Sequence, residues 1–322
     1  MARLFTFGCS FSLVDWPTWA TILCYDTDYD KAENWGLPGI GNLGIAQRLA
    51  ECHSKNKFTK DDTIIVQWSS HLRNDYHLFK KTSKTWIDSG LPEKNKESAW
   101  LTKGSMFNMH NSSIYNRVWL DHFFSEQTYV MYSLNAMTLA QALLKSVGCT
   151  WFMTSIGDFQ KLGADYLNFN GDGESTDAEG NLLERYPEFE HYVNMIWNDH
   201  KDYWLKPIGN HVWEGQKLGK EQFLTDSNRV YKFGNTNAST KKQQPYWWDP
   251  HPSTDGAASW LLEILLPALK KNIKFNDKQS SIIKGINSIY KSVPDIDLFY
   301  FREQVRVYCF ENDINLMETT GY

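Results

Sequence analysis

The stretch DTIIVQWSS, Asp62 to Ser70, constrains the chain more than any other. A strand with one wet face alternates apolar and polar residues. This run is continuously apolar between an acid and two serines, as in a central strand of a parallel sheet, buried on both faces. Parallel neighbours need crossover connections, usually helical, and these cover the sheet. The chain supplies them. GNLGIAQRLAEC (Gly41–Cys52) is predicted as an amphipathic helix with Leu43, Ala46, Leu49 and Ala50 on one face. Leu134, Met137, Ala140, Leu144 and Val147 fall in helical register over about Tyr132–Val147, with Gly148 as the stop. The strand CTWFMTS (Cys149–Ser155) follows directly. Leu4–Gly8 reads as the first strand and PTWATILC (Pro17–Cys24) as the first helix. The expected fold is α/β, with three α/β/α layers around a mainly parallel sheet.

At 322 residues, 42% hydrophobic and 22% charged, the chain can bury a sizeable core. Two stretches lack clear periodicity, about 72–127 and 158–244, and are expected as long insertions. Within the second, GDGESTDAEGN (Gly171–Asn181) suggests a solvated loop; its spacing does not match an EF-hand. A helix is expected from Asp255, with Leu261, Ile264, Leu265 and Ala268 on one face. Residues 1–271 then form the main domain and 272–322 an appended module. In that module Ile282, Ile283, Ile286, Ile289 and Tyr290 mark a helix, and the alternation of Val305, Val307 and Cys309 marks a strand.

The net charge of −5 argues against a nucleic-acid partner. No window approaches the roughly 20 apolar residues of a membrane span. MARLFTFGCS lacks the apolar core of a signal peptide, so cytoplasmic synthesis is expected. Five scattered cysteines without a CxxC argue against a disulfide framework or a zinc site. No metal and no cofactor is expected. With 14 Trp, 16 Tyr and 18 Phe, core packing accounts for most aromatics, while some Trp suit a sugar-binding groove.

Three segments carry candidate chemistry. In GCSFS, Ser10 follows a strand end, where a hydroxyl can stand above the sheet beside helix amides; the alternative is a serine that caps the next helix. In DPHPS, His251 stands near Asp249, as a base and its orienting acid would; the alternative is a turn built from Asp and two prolines. GLPGIGN and WSSHLRND offer Gly amides and Ser or Asn side chains, as an oxyanion hole requires; the alternative is ordinary βα-loop chemistry. A metal site on Asp249 and His251 lacks further ligands.

Together FGCSFS, NWGLPGIGN, IIVQWSSHLRND and DPHPSTDGAASWL, in that order, resemble an SGNH hydrolase of the GDSL-type esterase superfamily. The resemblance covers roughly residues 1–270. More narrowly it is to divergent SGNH-like proteins of phages and environmental bacteria. It implies a flavodoxin-like sheet, Ser10 as nucleophile and amide donor, Gly39 as second donor, His251 as base and Asp249 as its orienting acid. The family's third donor is an Asn after the third strand; here Ser70 falls nearest, with Asn74 four residues on. Two further departures are Cys9 in place of the usual Asp before the nucleophile, and the spacing Asp-x-His. Asp255 is expected to cap its helix and Ser12 to sit at a helix start.

The implied activity is hydrolysis of an acyl ester, with an O-acetylated carbohydrate as the expected substrate. Asn42, Trp68, Trp247 and Trp248 are candidates for the groove, and Trp204 and Trp213 for its aromatic surroundings. An acyltransferase on the same scaffold is not separated by these residues. The rival expectation is a catalytically weak or inactive scaffold, for example in a phage tail or virion, joined to copies of itself or to virion proteins through the C-terminal module.

Overall fold

The computed structural model describes residues 2–79, 98–103, 122, 125–162, 181–214, 230–235, 244–271, 273–292 and 297–316. Its centre is a parallel sheet of β1 (Arg3–Phe7), β2 (Lys31–Asn34), β3 (Thr63–Trp68) and β6 (Thr150–Ser155), in the order β2-β1-β3-β6. In register, Thr6 faces Asn34 on one side and Ile65 on the other, and Trp68 faces Ser155. Every residue of β3 is buried, as the uninterrupted apolar run demands. Leu4, Phe5, Phe7, Ile64, Ile65 and Val66 are wholly inaccessible. Side chains of this size contribute about 1.5–3 kcal/mol each on burial. The mixed α/β architecture and mainly parallel, helix-flanked sheet agree with the expected three layers.

The helices are α1 (Trp19–Leu23), α2 (Asn42–Asn56), α3 (Glu126–Val147), α4 (Leu182–Arg185), α5 (Glu190–Val193), α6 (Ile208–Glu214), α7 (Thr254–Trp260), α8 (Asp277–Ser292) and α9 (Leu298–Glu311). Helix α7 continues through a π-helical turn, Leu261–Leu265, to Ala268. Helix α3 begins six residues before the sequence-based start, because Ser125 caps it by accepting from the Thr128 amide. It ends at Gly148 with φ +73°. Among the described residues no helix is long and apolar enough to cross a membrane.

Several expectations need correction. The buried face of α2 is Ile45, Arg48, Leu49 and Cys52; Leu43 and Ala50 face solvent. Arg48 is tolerated inside because its Nε donates to the Trp35 carbonyl and its guanidinium stacks over the Trp35 ring. The 72–127 stretch is not all loop. It contains an antiparallel pair, β4 (Asn74–Phe79) with β5 (Ser98–Lys103), and its last residues already belong to α3. The 158–244 stretch holds α4, α5, α6 and the strand β7 (Val230–Asn235); most of GDGESTDAEGN lies outside the described residues.

Val305, Val307 and Cys309 lie on a helix, not a strand. The deciding spacing is Phe301–Val305–Cys309, four residues apart and all buried, while Val307 is exposed. Asp297 starts α9 by accepting from the Tyr300 amide. The tail shares a second apolar cluster, Ile282, Ile286, Phe301, Val305, Cys309 and Ile314, with Trp16 and Tyr231 of the preceding chain.

Candidate active site

The sheet order reverses between β1 and β3: from β1 the chain goes one way to β2 and then returns to β3 on the other side. In open α/β sheets the crevice beyond the strand ends at such a switch point is where ligands bind. Ser10 follows β1, and Ser69 and Ser70 follow β3, at this crevice.

The turn after β1 is locked from below. Ser12 Oγ donates to Gln67 Oε1 at 2.9 Å, and the amides of Ser12 and Leu13 donate to the Cys9 carbonyl. Gly8 has to be glycine, since a Cβ there would stand 2.1 Å from Ser12 Oγ. Cys9 is inaccessible and points at Gln67, with Sγ 3.8 Å from Oε1. Thr18, not Ser10 or Ser12, caps α1. Ser10 is thus not spent on a cap, and Ser12 is a brace of the turn, not a helix start.

His251 reaches the site from 241 residues away, its Nε2 lying 2.7 Å from Ser10 Oγ. With the ring protonated at Nδ1, the hydroxyl donates to Nε2. DPHPS is not a plain turn. Its first four residues belong to β8 (Gln244–Pro252), paired antiparallel to β7. Val230 pairs with Pro252 and Lys232 with Trp248, so residues 249–251 face only Tyr231 across the ladder. Such bulges re-aim side chains and recur beside active sites. Trp16 fixes the end of β8 by donating from Nε1 to the Pro252 carbonyl at 3.0 Å, and its ring meets the His251 ring edge-on. Phe11 packs on the imidazole too, at 5.1 Å between centroids. The backbone of Asp249 lies in β8; its side chain, like those of Trp247, Trp248 and Trp213, lies outside the described residues.

After β2 the chain turns through Leu37–Ile40, where the Ile40 amide donates to the Leu37 carbonyl and Gly39 adopts φ +80°. A left-handed residue there favours glycine. Among the described residues no hydrogen bond takes up the amides of Gly39 or Ser10. The amides of Gly41 and Gly44 instead donate to the carboxylate of Asp75, from β4. Asp75 therefore caps α2 from outside that helix, and its burial raises its pKa to about 6.

Two carboxamides expected near the site are occupied elsewhere. Asn42 is buried; its Oδ1 accepts from the Ser69 amide, and its Nδ2 donates to the Ser69 carbonyl and Ser133 Oγ. It fixes the loop after β3 and does not line a groove. Asn74 Nδ2 donates to the Tyr76 hydroxyl. Ser70 Oγ accepts from the Leu72 amide in a local turn, and Ser69 Oγ is buried without a hydrogen-bond partner among the described residues.

Trp68 is wholly inaccessible, so it is core and not groove. Trp204 packs on Trp197 and donates to the Ile196 carbonyl, again as part of the packing. The cap of α7 is Ser253, accepting from the Gly256 amide; Asp255 accepts from Asn287 of α8. Asp75, Gln67, Trp16, Tyr231 and Ser69 were not singled out from sequence. Nothing local in the sequence marks them. Among the described residues no cluster of His, Cys, Asp and Glu could hold a metal.

No protein-family model matches the chain, and no curated protein is significantly similar to it.

Proposed function

We propose that the chain is a serine acyl-ester hydrolase of the SGNH type. The observation that carries this is the 2.7 Å contact between Ser10 Oγ and His251 Nε2 at the switch-point crevice. Ser10 attacks the ester carbonyl while His251 takes its proton. The amides of Ser10 and Gly39 receive the oxyanion. The imidazolium then protonates the leaving alcohol, and water, activated by the same ring, releases the acyl group. Asp249, two residues before His251, is assigned as the acid that orients it. The substrate proposed is an O-acylated, foremost O-acetylated, carbohydrate. Trp247 and Trp248 directly precede Asp249 on β8, and indole rings suit sugar faces.

The test is release of p-nitrophenol or acetate from activated esters and acetylated sugars, together with labelling by a fluorophosphonate. Ser10→Ala is expected to remove labelling and to lower turnover at least ~10³-fold. Turnover that persists in Ser10→Ala overturns the nucleophile.

A second reading is a scaffold without turnover, serving as a structural or binding component such as a virion protein. It is favoured by one observation: the carboxamides of Asn42 and Asn74 are both engaged elsewhere. A wild type inert to the whole ester panel and to the fluorophosphonate decides for it.

A further inference from the structure

Helix α9 buries Phe301, Val305 and Cys309 against the body of the protein, yet its opposite side is unusually apolar. Phe310 is 86% exposed, Phe299 78% and Val307 42%. Phe299 and Phe310 are eleven residues apart, about three turns, so they share one stripe. Between them on that stripe lie Glu303 and Arg306, both exposed.

The order Phe299, Glu303, Arg306, Phe310 is symmetric about the midpoint between Gln304 and Val305. Run antiparallel against itself, the stripe sets each Phe299 opposite Phe310 and each Glu303 opposite Arg306. Among the described residues Arg306 makes only a long contact to Asp15, 3.4 Å, while Arg302 lies 2.9 Å from the same carboxylate. Phe310 helps to line a mainly apolar groove of about 430 Å³ with Val14, Cys309, Ile314 and Leu316, and Asp15 and Arg306 form its charged edge. The antiparallel arrangement brings Phe299 of a second copy to its mouth.

We infer that this face of α9 is a two-fold homodimer interface, closed by reciprocal Glu303–Arg306 pairs and by Phe299 entering the groove beside Phe310. An isologous contact requires a self-complementary patch, and this stripe is one in its charges and in the placing of its two phenylalanines. One helix and one groove bury less than the ~800 Å² per partner of a standard stable complex. The dimer is therefore expected in the micromolar range.

Sedimentation velocity from low to high micromolar protein tests this on the full chain. The wild type should shift from monomer to dimer. Phe310→Ser should leave a monomer at every concentration with an unchanged melting temperature. Glu303→Arg should weaken the dimer about tenfold at low salt by setting arginines opposite each other. Glu303→Arg combined with Arg306→Glu should restore it. A wild type that stays monomeric throughout overturns the interface. So does a dimer indifferent to Phe310→Ser, or one that the charge swap fails to restore. If Phe310→Ser instead lowers the melting temperature of a monomer, the face is covered by the chain's own end, and the proposal also falls.

Discussion

Ser69 and Ser70 are adjacent at the end of β3, but their hydroxyls stand differently. Ser70 Oγ already accepts from the Leu72 amide, whereas Ser69 Oγ is buried with no partner among the described residues. A buried hydroxyl without a partner is costly unless something visits it. Under the proposed hydrolysis, an ester oxyanion forming over Ser10 would be such a visitor. Ser69→Ala is therefore expected to lower kcat about 10²-fold with little change in KM. Ser70→Ala should cost about 1 kcal/mol of stability and leave kcat within a few-fold. Steady-state kinetics and thermal melts on both variants separate the two; loss of turnover in Ser70→Ala alone reverses the assignment. At this scale the sequence spoke through residue chemistry. Ser10 and His251 stood out because few side chains can serve as nucleophile or base. The facing of a side chain was not legible. Gln67 turns to Ser12 and is neighboured by Trp68 in the core, and Asn42 binds the Ser69 backbone instead of a ligand.

Helix α2 has no side-chain cap of its own; its N-cap residue is Gly41. Asp75 serves instead, joining β4 to the turn that carries Gly39. Asp75→Ala frees the amides of Gly41 and Gly44. Loss of a cap costs about 1 kcal/mol. The turn bearing Gly39, the proposed second oxyanion donor, loosens as well, so kcat should fall further than the modest drop in melting temperature suggests. Equal stability with unimpaired turnover would show that the Gly39 turn holds its shape unaided. The elements themselves were legible where periodicity was long, as in β3 and α3. They were not where two periods coexist. Val305-x-Val307-x-Cys309 alternates, but Phe301–Val305–Cys309 is also a helical row, and contact with Trp16 and Tyr231 decides for the helix. The pairing of β7 with β8 depends on residues far from DPHPS, so a Pro-flanked His in sequence gave no sign of a bulged strand.

Across the whole molecule, Glu126 joins three regions. It stands in the first turn of α3, accepts from Arg185 at 3.0 Å and from the Tyr186 hydroxyl at 3.1 Å, and meets His71 Nε2 at 3.2 Å. The loop after β3, the long helix and the α4 segment are thereby tied together beside the crevice. The His71 contact first, then Arg185, outweighs burial and holds the Glu126 carboxyl down at about 2, against an ordinary 4.5. A carboxyl with a lowered folded pKa contributes stability that is present above its unfolded value and lost as pH falls through the folded one. That loss should therefore run from about pH 4.5 to about pH 2. Asp75 has the opposite sign. Its burial raises the pKa from 3.8 to about 6, so the folded state binds more protons in that window. Stability from Asp75 rises as pH falls from 6 toward 3.8. Chemical denaturation across pH tests both in one protein. Glu126→Gln should flatten the decline below about pH 4.5 and leave the slope between 4.5 and 6 unchanged. Asp75→Asn, which keeps an acceptor for the Gly41 amide, should remove the gain between pH 6 and 3.8 and leave the acid decline in place. Identical profiles for Glu126→Gln and wild type would mean that the three regions are held by packing and not by this carboxylate.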